Sequence, residues 1–243
     1  MPGKLLTSVI IVFIFSTGLF AQMKLDFTTV FKEIIKPPQS CAEADALTIK
    51  DSAGKDSILS KLITDQKTKF EKIQNDIDYS VRTIENDEKR MPMPPGDPGP
   101  RGDIQMPEDF RMSKKMMDKC RSASDEILIV KDKLKNDIII LQDSLNRKLK
   151  LTKSEDRESR KILADEFLNS VKTEFDNEII TIEQKSAIID KAVRQYFSNK
   201  DMFIPPLMIA LLKSQQTEIS AAIFLLKITE ECIKIGSKFY FEN

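Results

Sequence analysis

The sequence contains no histidine and no tryptophan, only three cysteines, and just seven glycines in 243 residues. The missing histidine removes the commonest general base near neutral pH, the usual zinc and di-iron ligand sets, and both Ser-His and Cys-His nucleophile pairs. No glycine-rich loop is followed by Lys and Ser or Thr, and no nucleophile elbow or calcium-loop pattern occurs. Net charge is absent too: Lys plus Arg and Asp plus Glu are 38 each, so there is no electrostatic footprint for nucleic acid. These absences point away from an enzyme, a cofactor protein and a nucleic-acid binder.

What is present is charge of both signs, 31% of residues, interspersed as on the solvated faces of long helices. The most apolar mature stretch, Pro206 to Ile235, carries two opposed stripes at helical spacing. Leu212, Ile219, Ala222, Ile223, Leu226 and Ile233 form one; Ala221, Leu225, Ile228, Cys232 and Ile235 form the other. A helix apolar on two sides needs neighbours on two sides. Ser220, Lys227, Glu231 and Lys234 keep one edge for water, and a short polar break spans Lys213 to Glu218. With no run of about 18 uncharged apolar residues, the stretch does not read as a membrane span. Gly236 is expected to end this helix.

Met1 to Ala21 has one charge at Lys4, an apolar run from Leu5 to Phe20 and a small residue at Ala21. That layout predicts a signal peptide cut after Ala21, with an uncleaved N-terminal anchor as the alternative, and an exported protein of a periplasm or extracellular space. Residues 22–39 hold a short amphipathic helix, with Phe27, Val30, Phe31, Ile34 and Ile35 on one face and Pro37-Pro38 at its end. That face is expected to dock on the rest of the chain; a membrane-surface anchor is the alternative.

Residues 40–243 read as a helical bundle. Ser40 caps a helix toward Arg90 that breaks around Gly54, with Leu59, Leu62, Ile63, Gln66, Phe70, Ile73, Ile77, Val81 and Ile84 as a seam. A loop over 91–109 holds six of the eleven prolines and a collagen-like Gly96, Gly99, Gly102 period, too short for a triple helix. Its Arg101-Gly102-Asp103 tripeptide is too short to specify binding. The next helix, Phe110 to Leu149, repeats Cys120, Ile127, Leu134 and Leu141 every seven residues, seconded by Ala123, Val130, Ile138 and Leu145. Ser154 is expected to cap a further helix to about Tyr196. The short link between the two demands an antiparallel hairpin. The predicted fold is therefore all-α: an elongated antiparallel up-down-up-down bundle of four long helices plus a short N-terminal helix.

In an oxidising compartment, Cys41, Cys120 and Cys232 suggest one bridge and one leftover thiol. Bundle topology puts Cys41 and Cys232 at one end and Cys120 near the other, which predicts a Cys41–Cys232 disulfide. Met112, Met116 and Cys120 are spaced by four and share a helix face, a soft set that would suit Cu(I); ordinary packing is the competing reading. Asp165-Glu166, Glu174-Asp176-Glu178 and Glu230-Glu231 read as solvated faces. The aromatic tail Lys238-Phe239-Tyr240-Phe241 either folds back on the bundle or forms a docking patch. The function these features favour is a non-enzymatic interaction or structural role, with another protein or a second copy as partner. A membrane-peripheral or membrane-active protein and a Cu(I)-binding protein are the alternatives.

Overall fold

The computed structural model describes residues 27–50, 54, 57–90, 108–198 and 204–241. The expected signal peptide and the loop at 91–107 lie outside them. Six helices are present among the described residues: α1 Phe27–Glu33, α2 Cys41–Thr48, α3 Ile58–Arg90, α4 Glu108–Leu151, α5 Arg157–Ser198 and α6 Pro205–Phe241. No strand occurs among the described residues.

The long helices start and stop where backbone chemistry dictates. Ser40 is the N-cap of α2, its Oγ accepting the Glu43 N–H at 3.2 Å, while the Glu43 carboxylate accepts the Gln39 N–H at 2.8 Å. Asp165 of α5 accepts the Cys41 N–H at 2.6 Å, so a second orphan donor of this eight-residue helix is also satisfied. After Ile49 the chain breaks as expected, and Gly54 takes φ +69°, a conformation that favours glycine.

The cap of α5 is Asp156, which accepts the Ser159 N–H at 3.0 Å, and not Ser154. Ser154 lies inside the connecting turn, which closes with Asp156 N–H on the Lys153 carbonyl and brings Arg160 back onto the Leu149 carbonyl at 3.2 Å. At the start of α6, Pro205 occupies the first position, where a missing N–H costs nothing. The Ile204 N–H just before it donates to the Tyr196 hydroxyl at 3.4 Å.

The largest departure is at the end of α6. Gly236 does not terminate the helix, which continues to Phe241. A Cβ there would lie 2.3 Å from the Ala44 Cβ, 3.0 Å from Leu168 and 3.7 Å from the Cys41 Cα. The glycine is present because α2 and α5 close on α6 at this point, not because the chain turns. Phe239 and Tyr240 consequently fold onto the core, with the Lys161 ammonium 5.7 Å from the centre of the Tyr240 ring.

Side-chain pairs give the helix directions. Lys67–Glu230, Asp78–Gln216 and Glu85–Lys213 run α3 antiparallel to α6. Lys133–Glu178, Glu126–Lys185 and Lys148–Glu166 do the same for α4 and α5. Ser124–Thr217 and Lys131–Ser220 make α4 parallel to α6. The arrangement departs from a closed four-helix ring, however. Helices α4, α5 and α6 pack mutually, whereas α3 rests chiefly on α6, with α2 beside it. That explains why α6 is apolar on two sides: α4 and α5 cover one, α3 and α2 the other.

The core follows from these contacts. Phe175, Ile127, Leu134, Leu168, Ile182, Leu207 and Leu212 are among its fully buried side chains. Each such residue contributes about 1.5 to 3 kcal/mol by leaving water. Helix α1 docks against α5 and buries Phe27, Val30, Phe31 and Ile34, and the Ile35 carbonyl accepts the Thr229 hydroxyl at 2.6 Å. The α3 seam is buried at Leu59, Ile63, Phe70, Ile77 and Val81, but Leu62 is exposed, because one partner helix covers a narrower stripe than two would. No described helix is long and apolar enough to cross a membrane.

Candidate functional site

The polar break in the apolar sequence of α6 faces solvent only in part: Lys213 is exposed and pairs with Glu85, while Gln216 and Thr217 are half-buried. Ser214, Gln215 and Glu218 are buried, and Ser113 from α4 with Ser186 and Asp190 from α5 are buried at the same end of the bundle. The Ser214 hydroxyl lies 2.9 Å from the Ala210 carbonyl and 3.4 Å from the Cys120 carbonyl, and Ser124 donates to Thr217 at 2.7 Å. By contrast, Ser186 Oγ and Gln215 Oε1 have no hydrogen-bond partner among the described residues. Burying such groups costs stability, so the layer weakens the packing of α6 against α4 and α5. Glu218 has no exposed surface, so no substrate reaches it unless the helices part. The sequence signal was the break itself, Lys213 to Glu218.

The three cysteines are buried free thiols in this structure. Burial pushes Cys41 up to about 12, aided by the neighbouring Asp165 carboxylate, and pushes Cys232 up to about 12, aided by Glu231. Cys120 rises to about 11, through burial and the negative charge of Glu218. None is poised as a nucleophile. Cys41 and Cys232 do lie at one end, since Gly236 touches Cys41 and Cys232 sits one turn before Gly236. Cys120 lies at the other end, beside Ser214. The bridge itself stays an expectation.

The sulfur cluster divides. Met112 and Met116 line a surface groove between α4 and α5, whereas Cys120, one turn further on, faces the core and does not line it. Three residues spaced by four drift around a helix by about 40° per step, enough here to split the set. Among the described residues no group of three or more His, Cys, Asp or Glu side chains is arranged to hold a metal ion. The acid pairs enter ion pairs: Glu166 with Lys148, Asp176 with Lys36 and Lys172, Glu178 with Lys133, and Glu230 with Lys67 and Lys234. Glu230 is held below the usual carboxylate range chiefly by Lys67.

We find no protein-family model, no curated protein and no solved structure to which this chain is similar.

Proposed function

We propose that this is an exported, non-enzymatic helical protein that acts through contacts with another protein, the first candidate being a second copy of itself. The observation that carries this reading is the outer face of α4. Ile129 and Ile140 are 66% and 62% exposed, and beside them Leu128 and Ile139 are 37% and 44% exposed. The two isoleucines are three helical turns apart and therefore share a face, as do Leu128 and Ile139. The fold does not use these four residues; the seam on the other side of α4 already supplies the core. Leu128 with Ile129 and Ile139 with Ile140 thus make two apolar spots about 16 Å apart on a rigid helix, with Asp132, Lys133, Lys135 and Asn136 exposed between them, an arrangement that another helix lying along α4 can cover at both points.

Light scattering coupled to size exclusion on residues 22–243, without reductant, tests it. A defined oligomer that Ile129→Asp with Ile140→Asp converts to monomer, at unchanged helical circular dichroism, supports self-association through α4. A wild-type monomer at high concentration overturns it.

A further inference from the structure

The α4–α5 seam changes character along its length. Lys133 pairs with Glu178, and seven residues earlier on α4, Glu126 pairs with Lys185, seven residues further on α5. One more step of the same size brings Lys119 opposite Ala192, beside Lys191. Here the complementary pairing stops. Lys115, Lys119 and Lys191 line one groove, and no ion pair engages any of them among the described residues. Arg111 and Lys114 continue the basic edge on α4, with Asp118 the acid among them. Glu126, the acid within the groove, is already committed to Lys185. Like charges facing each other across a helix seam destabilise it unless an anion lies between them.

The floor of the groove is apolar. Met112 and Ile188 are 50% and 41% exposed there, and Ala123, Ala187 and Ala192 give it depth by having nothing beyond a Cβ. Its volume is about 570 Å³. A polymethylene chain fits a narrow floor of flexible thioethers and small side chains.

We propose that this groove binds a single-chain anionic amphiphile of the fatty-acid class, its alkyl chain along Met112, Met116 and Ile188 and its carboxylate between Lys115, Lys119 and Lys191. The sign of the rim selects the head group, and the alanines set the width. This site lies apart from the exposed isoleucines of α4 and does not depend on them.

The test is titration calorimetry of residues 22–243 with laurate below its micellar concentration, beside the same alkyl chain carrying a trimethylammonium head. Saturable one-to-one binding of laurate, at least about ten-fold tighter than the cation and weakened by added salt, is the expected result. Lys119→Glu with Lys191→Glu should weaken laurate by about ten-fold or more, and Ala187→Phe should block the floor, both at unchanged helicity. Equal affinity for the two head groups, or laurate binding indifferent to these substitutions, would overturn the proposal. So would sedimentation with anionic vesicles without binding of monomeric laurate, which would assign the cationic edge to a membrane surface.

Discussion

Around Gly236, α2 and α5 close on α6 more tightly than any side chain allows, whereas around Ser214 to Glu218 the same helix buries polar groups, among them Gln215, whose Oε1 has no partner among the described residues. The first end is built for contact: Ala44, Leu168 and Cys41 surround the glycine. The second is packed more weakly, since burying polar groups costs stability. One helix thus differs between its two ends. The lesson is that the tightest and the most polar parts of a bundle core need not compete when a single long helix separates them.

The thiols report on the two ends with the largest effect. Cys41 and Cys232 titrate near 12 and Cys120 near 11, against an ordinary 9.0. At pH 8 the thiolate fraction is then lower by about a thousand-fold at the Gly236 end and about a hundred-fold at the polar end. Alkylation of the native protein should therefore be slow at all three thiols and fastest at Cys120, and denaturant should abolish the difference. In denaturant without reductant, labelling of Cys120 alone would establish the Cys41–Cys232 bridge. For free thiols the sign of the linkage is fixed. A raised pKa favours the neutral group in the folded state, so this contribution is whole below pH 9 and is lost as pH climbs toward 11 to 12.

Gly236 comes next. A new Cβ would meet the Ala44 Cβ, which is fixed to the backbone and cannot swing aside. Gly236→Leu should cost about 3 kcal/mol in urea unfolding. Gly236→Ala should cost about 1 kcal/mol net, the overpacking exceeding the gain in helix propensity. Adding Ala44→Gly should return part of that loss. Stabilisation by Gly236→Ala alone, the behaviour of an open helix, would break the comparison at this end.

At the other end the sign reverses. Ser186→Ala and Gln215→Leu each remove a buried group that lacks a partner, and each should stabilise by about 1 kcal/mol. A loss of stability in either would mean that the layer holds a bound water or ligand, and would make it a site in its own right.

Much of this architecture was legible in the residues. The seam of α4 is buried at Cys120, Ala123, Ile127, Leu134 and Leu145 because a seven-residue repeat leaves helix geometry little choice. The two stripes of α6 were legible for the same reason, and so was the docking of α1 through Phe27 and Phe31. Periodicity says which face is buried, but not by how many partners. The placement of α3 on α6, outside the α4–α5 pair, was therefore hidden. Gly236 was misread because a glycine that ends a helix and one that admits a neighbour look alike in one dimension. The polar layer was hidden because Lys213 to Glu218 resembles any charged face until the neighbours of α6 are known. The α4–α5 groove needed the register of two helices, and only the cross-seam pairs supply it.

The smallest effect is expected at Ser40. Its hydroxyl satisfies the Glu43 N–H, and loss of an N-cap costs about 1 kcal/mol in general. Here Asp165 holds the Cys41 N–H and Glu43 reaches back to Gln39, so two further contacts pin the same helix start. Ser40→Ala should therefore cost about 0.5 kcal/mol, at the low end of the range. Its signature should be local: faster amide exchange in α2 and faster alkylation of Cys41, with Cys120 unchanged. Equal acceleration at Cys120 would show that the two ends of α6 unfold together, and that the difference between the tight and the polar end does not extend to local stability.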